Sequence, residues 1–204
     1  MSSIQTLIEA RVSTNQFDTK RPVSSNQITE LVRLATLAPS AYNFQNWKFI
    51  AVKSPAAKEK LKAAAYGQQK VVDAAVTFIV CGTLNAHQHL ERNLRPSLDQ
   101  GILSQAMVDT WIGMAEGSHK GNAQLQRDEA FRSASLAAMT LMLAAQGMGL
   151  ATGPMSGFDP GAVSEAFDLS ADEVPVMLIA TGYTAPGNLP QKPRKPIAGV
   201  LTSI

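Results

Sequence analysis

The run "DEAFRSASLAAMTLMLAAQGMGL" at 128–150 constrains the fold more than any other stretch of this chain. From Ser135 onward it is apolar on nearly every side of a helix, and a helix without a polar face must be buried over most of its surface. Ser135, Thr140 and Gln146 interrupt it too often for a membrane span, which needs about 20 predominantly apolar residues. Its alanines permit close helix packing, so it belongs at the centre of the molecule or between two copies of it. The remaining elements must be arranged around that helix. With 204 residues the chain suits one domain, able to bury roughly 70% of the surface its unfolded form exposes. A composition of 45% hydrophobic and 17% charged residues fits a globular protein rather than a disordered or membrane one. The formal charge of +2 is too small for a polyanion-binding surface, so neither nucleic acid nor a membrane is expected as a partner.

Shorter patterns set the other elements. Residues 4–11 carry Ile4, Leu7 and Ile8 at helical spacing. Ser24 or Ser25 can cap a second helix running to Leu37, with Ile28, Leu31, Val32 and Ala35 on one face and Pro39 as the stop. "KFIAVK" reads as a strand, Ser54-Pro55 as the cap and first turn of a helix to about Ala65, and "AVTFIVCGT" as a more buried strand. Positions 84–126 are polar and helix-tolerant, either a helical excursion serving as a lid or a plain surface helical pair. After the apolar helix come "ATGPMSGFD", a helix over 160–167, the strand "VPVMLIATGY" and a Pro-rich basic arm at 184–204. No repeat interrupts a single domain over 1–204. Strands separated by helices favour an α+β fold, a mixed central sheet flanked by helices.

Cys81, the single cysteine, sits within the buried strand and cannot form an intrachain disulfide. The N-terminus "MSSIQTLIEAR" lacks the basic segment and apolar run of a signal peptide, so a cytoplasmic location is expected. Several chemical motifs fail on inspection. Tyr66 and Lys70 have the spacing of a Tyr-x-x-x-Lys pair, but no strand and Gly-rich turn opens the chain as that chemistry requires. "GMGLATG" follows a helix rather than a strand and reads as a helix C-cap, not a dinucleotide loop. His87 and His89 face different sides of a helix and His119 is remote, so no metal site is expected. No nucleophile elbow is present, and no side chain is expected to act as a covalent catalyst.

The stretch "LAPSAYNFQNWKFI" at 37–50 sets Ser40, Asn43, Gln45 and Asn46 beside Tyr42, Phe44 and Trp47. It suits either the wall of a site for a flat, polar, buried ligand or a polar loop anchored by Trp47. Read with Arg11-x-Ser13-x-x-x-Phe17, Ala38-Pro39-Ser40-x-x-Asn43-x-Gln45-x-Trp47 and Lys192-x-Arg194-x-Pro196, it gains a context. In the order and spacing of these motifs the chain resembles, over essentially its whole length, the nitroreductase family of FMN-dependent NAD(P)H oxidoreductases.

The resemblance implies an intertwined homodimer with flavins at the interface and the C-terminal arm wrapped over the partner. It implies that Arg11, Val12, Ser13 and Asn15 line the phosphate and pyrimidine side of FMN, joined by Lys192 and Arg194. Guanidinium and ammonium donors are what a dianionic phosphate requires. Pro39, Ser40, Ala41 and Asn43 match the family's segment beside the isoalloxazine and ribityl chain, with Trp47 anchoring the strand behind them. Pro154, Met155, Ser156 and Gly157 match the loop whose backbone N–H reaches toward flavin N5, where glycine permits close approach. The family often has Lys or Arg where Asn15 stands, Pro where Asn46 stands and Asn where Gly67 stands. Gln68 or Gln69 is the expected substitute for that last contact. The implied reaction is ping-pong hydride transfer from NAD(P)H through flavin N5 to a nitroaromatic, quinone or similar small-molecule acceptor, with the flavin rather than a side chain carrying the chemistry. The alternatives are dehydrogenation or reductive substituent removal on the same scaffold, and a flavin-binding protein with little turnover.

Overall fold

The computed structural model describes residues 3–204. Its centre is a four-stranded sheet in the order β1-β2-β4-β3, formed by β1 (Trp47–Val52), β2 (Val76–Thr83), β3 (Ala151–Met155) and β4 (Glu173–Gly182). The α+β class and the flanking helices are as the sequence implied. Pairing between the four strands is antiparallel throughout, and among the described residues the parallel contribution is one bridge, Ser13 to Thr152.

Period-two alternation along β2 builds both halves of the core. Val76, Phe78 and Val80 pack with Leu31 and Ala35 of α2 (Ser25–Ala35) and with Ala134, Ala138 and Leu141 of α7 (Ala123–Gly147). Ile79 and Cys81 point the other way, into a cluster with Leu61, Ala64 and Val163 from α3 (Pro55–Ala64) and α8 (Pro160–Ala166). Cys81 is fully buried, and burial pushes its thiol pKa up to about 12, leaving it inert at neutral pH. The long apolar helix lies directly on the sheet. A methyl group added at Gly82 of β2 would fall 2.4 Å from the Ala130 carbonyl oxygen, so glycine is required at that crossing.

Local chemistry accounts for the helix ends. Ser24 and Gln27 form a reciprocal capping box at α2. Ser54 caps α3 with Pro55 in its first turn, as the sequence implied. The helix expected from position 128 begins earlier, at Ala123, because the Asn122 side chain accepts from the Leu125 backbone N–H and caps it there. The excursion therefore comprises a short 3-10 turn, Ala86–His89, then α5 (Leu90–Asp99) and α6 (Gln105–His119). Two further helices are short, α1 (Ile4–Ala10) and α4 (Lys70–Asp73). Among the described residues no helix is long and apolar enough to cross a membrane.

The excursion has a core of its own, Phe44, Leu90, Leu94, Val108 and Ala115. Folding brings His119, distant in sequence, against His87, with the rings stacked at 6.2 Å between centroids. Nδ1 of His119 lies 2.8 Å from Ser118 Oγ and 3.1 Å from the Ala115 carbonyl oxygen. His87 is 6% exposed, and its pKa lies below the ordinary value through desolvation and then the neighbouring His119; Glu116 opposes the shift, while Lys120 and His89 add to it. A histidine whose folded pKa is depressed contributes stability that is complete above its unfolded pKa, about 6.5, and is lost as pH falls toward the folded value. The melting temperature is therefore expected to drop as pH falls below about 6.5, with a single proton supplying at most about 1.4 kcal/mol per pH unit. Thermal melts of His87→Gln should show a flatter dependence over that window; an unchanged slope would exclude His87 as its source.

Candidate functional site

The N-terminal segment after α1 is laid along β3. Thr14 N–H donates to the Thr152 carbonyl at 2.9 Å, Asp18 N–H to Tyr183 at 2.8 Å, and Ala185 N–H returns to Gln16 at 3.0 Å. The approach at Gly153 is closer still, since a methyl group there would lie 2.3 Å from the Thr14 carbonyl oxygen. Asn188 then clasps the start of the arm to this segment. Its Oδ1 accepts from the backbone N–H groups of Asn15 (2.7 Å) and Gln16 (2.9 Å). Its amide hydrogens are shared among the Gln16 carbonyl, Thr184 Oγ1 and the Ala185 carbonyl.

These contacts bring the two ends of the chain together around a cavity of about 240 Å³, lined by Ser13, Asn15, Lys70, Leu189, Pro190, Gln191, Lys192 and Arg194. Three of the lining side chains are cationic and none is acidic. Arg194 is held along the arm by the Lys192 carbonyl (2.7 Å) and Gln191 Oε1 (3.0 Å). Gln191 in turn donates to the Arg11 carbonyl at 3.1 Å. Among the described residues Nη1 of Arg11 is buried without an acceptor, an arrangement that costs free energy unless something else accepts from it.

Lys70 is the residue that sequence reasoning missed. It opens α4, and its Nζ donates to Asn15 Oδ1 at 3.0 Å, so it supplies a cation beside the position where Asn15 lacks one. Burial holds its pKa below the ordinary lysine value. Lys58 fixes α4 from behind by donating to the carbonyls of Val72 and Ala74. The sequence signal for it is the Tyr66 to Lys70 spacing, which reads as a catalytic pair and does not by itself point to a cation beside Asn15. Asn188 was missed too, its signal being the Pro-Gly-Asn turn that starts the arm.

The two glutamines expected near the ring separate. Gln69 turns away, its Oε1 accepting from Lys62 and its Nε2 donating to Asp73, both at 2.7 Å. Its polar atoms are thus engaged on the far side of the turn, which argues against its expected role. Gln68 instead donates to the Gly157 carbonyl at 2.7 Å and joins the turn at 66–69 to the loop at 154–157. In that loop Pro154 and Met155 end β3, while Ser156 and Gly157 are exposed. Among the described residues, the backbone N–H groups of Ser156 and Gly157 have no protein acceptor. The space above Gly157 is open, with only Gln68 Nε2 within reach of an added methyl, at 3.9 Å. Val12, half-buried, connects Arg11 to Ser13.

Pro39, Ser40, Ala41 and Asn43 do not line this cavity within the chain. They belong to a strained turn on the excursion side, where Tyr42, Asn43 and Gln45 all have positive φ (50°, 60° and 50°). Ser40 Oγ accepts from the Gln45 N–H at 2.9 Å, and Asn93 donates to the Phe44 carbonyl at 2.7 Å. The buried anchor is Phe44, 1% exposed, rather than the half-buried Trp47. Phe44 takes that role because it enters the α5–α6 core, whereas Trp47 starts the edge strand β1. Among the described residues no group of three or more His, Cys, Asp or Glu side chains could hold a metal ion.

The Nitroreductase family profile matches residues 8–183. The chain belongs to the nitroreductase family. Of its relatives, YodC of Bacillus subtilis (strain 168), named "Putative NAD(P)H nitroreductase", is 36% identical over 203 residues, covering 99% of each chain. Among solved structures, ydfN of Bacillus subtilis superposes with a TM-score of 0.92 at 33% identity over 98% of each chain. A protein of Exiguobacterium sibiricum 255-15, solved in complex with FMN, gives a TM-score of 0.91 at 26% identity, covering 100% of this chain and 98% of that one. The family match ends at residue 183, before the arm, while the likeness to YodC and ydfN covers 99% and 98% of this chain.

Proposed function

We propose that this chain is an FMN-dependent oxidoreductase that takes hydride from NAD(P)H and passes it to an electron-poor acceptor such as a quinone or nitroaromatic. The observation that carries the reading is the cavity built by both ends of the chain, with Lys70, Lys192 and Arg194 lining it and no acid opposite them. A phosphate monoester carrying nearly two negative charges at neutral pH is the group that Lys192 and Arg194 match, with Lys70 left as a cation for the rest of the ligand. Gln191 of the cavity wall donates to the backbone carbonyl of Arg11, whose Nη1 is buried and, among the described residues, without an acceptor. The residues fit FMN.

In this reading Arg11, Ser13, Lys192 and Arg194 hold the phosphate end, and Val12 and Asn15 shape the pyrimidine side. Lys70, oriented by Asn15 Oδ1, faces the pyrimidine edge. The free N–H groups of Ser156 and Gly157 are the donors available to the ring edge. The flavin, when bound, supplies hydride acceptance and donation at N5, and the chain binds, orients and excludes water. Donor and acceptor then occupy one open face in turn, which gives ping-pong kinetics.

At about 240 Å³ the cavity is below the roughly 300–1,000 Å³ of a pocket enclosing a drug-sized ligand. A second copy of the chain is proposed to complete it, bringing Pro39, Ser40, Ala41 and Asn43 over the ring. The arm supports this, since Leu189, Ile197, Val200 and Leu201 are each more than 60% exposed on the single chain. Residues 1–204 act as one functional unit, with the excursion as its lid. The proposed location is the cytoplasm, to which the buried free thiol of Cys81 is suited.

Anaerobic addition of NADH or NADPH should bleach the oxidised-flavin band, and a quinone or nitroaromatic should restore it after the nucleotide is removed. A flavin-loaded protein that neither nucleotide reduces would refute the oxidoreductase reading and favour a binding protein.

A further inference from the structure

The loop at 156–159 is anchored by the Phe158 side chain, buried with Leu61 and Ala64, and by Asp159, whose Oδ1 accepts from the Gly161 and Ala162 N–H groups of α8; two further hydrogen bonds reach the end of α3 and the turn that follows it. Asp159 N–H donates to the Ala64 carbonyl at 2.8 Å, and Gln68 Nε2 donates to the Gly157 carbonyl at 2.7 Å. Between them Phe158 N–H turns back to the Ser156 carbonyl at 3.1 Å, which closes a tight turn about Gly157. The peptide plane after Gly157 is therefore fixed at both ends, its carbonyl by Gln68 and its N–H by Ser156. With that plane set, the N–H groups of Ser156 and Gly157 are left as the free donors of the turn.

Gln68 is itself held in place. Tyr66 and Gly67 both adopt positive φ (54° and 75°), Gly67 N–H donates to the Lys62 carbonyl at 2.9 Å, and the Gln68 N–H and carbonyl bond Ala65 (3.2 Å) and Val71 (3.1 Å). A side chain rooted in such a turn is a firm post for the loop opposite. It also comes from the turn that leads into Lys70, so one short segment orients a cation at one side of the pocket and a backbone turn at the other.

We propose that Gln68 is a positioning residue, which sets the orientation of the Ser156 and Gly157 N–H groups toward the flavin edge by tethering the Gly157 carbonyl. The proposal rests on the flavin reading above. A donor held at the atom that receives hydride favours the reduced and oxidised rings unequally, so its orientation registers in the reduction potential. Gln68 therefore acts through the backbone of the loop, in contrast to the direct ring contact that its position in the sequence implied.

The test has a flavin-free and a flavin-loaded arm. In the apoprotein, hydrogen exchange at the Phe158 and Asp159 amides should accelerate roughly fivefold in Gln68→Ala and in Gln68→Glu, which keeps the shape but loses the donor. Gln68→Lys, which restores a donor, should exchange more slowly than either. In the FMN-loaded protein, Gln68→Ala should keep its flavin stoichiometry but change the ratio of affinities for reduced and oxidised flavin threefold or more, about 15 mV in the two-electron midpoint potential. Unchanged exchange in Gln68→Ala overturns the tether, and faster exchange with an unchanged potential overturns its effect on the flavin. Wild-type protein that takes up no FMN overturns the flavin reading itself and this proposal with it.

Discussion

Gly153→Ala is expected to purify with little or no flavin and a lowered melting temperature. The added methyl would sit 2.3 Å from the Thr14 carbonyl oxygen, and backbone at that distance has to move. Thr14 is buried and bonded to Thr152, so the segment carrying Ser13 and Asn15 shifts off β3 and one wall of the cationic cavity goes with it. Overpacking of this kind costs about 1–3 kcal/mol, and each kcal/mol lowers the melting temperature of a chain this size by roughly 2–4 °C. The two losses have one cause and should appear together in the visible spectrum and the thermal melt. A Gly153→Ala protein with wild-type colour and melting temperature would show that the N-terminal segment is not held where these contacts put it.

Lys70→Met separates binding from stability. The substitution keeps the length of the side chain and removes its charge. A hydrogen bond to a charged group contributes about 1.5–3 kcal/mol, so the FMN dissociation constant is expected to rise roughly 10- to 150-fold. The apoprotein should melt no lower than wild type, because relief of the partly desolvated ammonium offsets the loss of its hydrogen bond to Asn15 Oδ1. Titration of apoprotein with FMN measures the first quantity and a thermal melt the second. An unchanged dissociation constant would remove Lys70 from the site.

Much of this architecture was legible because it follows from local rules. The capping box of Ser24 and Gln27, the Ser54-Pro55 helix start and the alternation of β2 need no partner distant in sequence. The residues proposed for the phosphate were legible as motifs, and their convergence was not, since Ser13 and Arg194 are brought to one cavity by the Asn188 clasp and the Thr14 to Thr152 pairing. Lys70, the His87–His119 stack and the diversion of Gln69 to Lys62 and Asp73 likewise arise from tertiary contacts that spacing does not encode. The segment at 39–43 shows the same limit from the other side. Its polar residues fit a flavin wall, yet the chain folds them onto the excursion rather than beside its own cavity. A sequence motif fixes what a segment can contact, while the copy of the chain that supplies the contact is decided by assembly.

The most direct test of the flavin site is the visible absorption spectrum of the purified wild-type protein, with chromatography of whatever heat releases. The expected result is a yellow protein releasing FMN at close to one per chain, held at the lysine- and arginine-lined cavity. A colourless protein that also fails to take up added FMN would contradict the account, leaving Lys70, Lys192 and Arg194 as a cationic cavity with some other ligand.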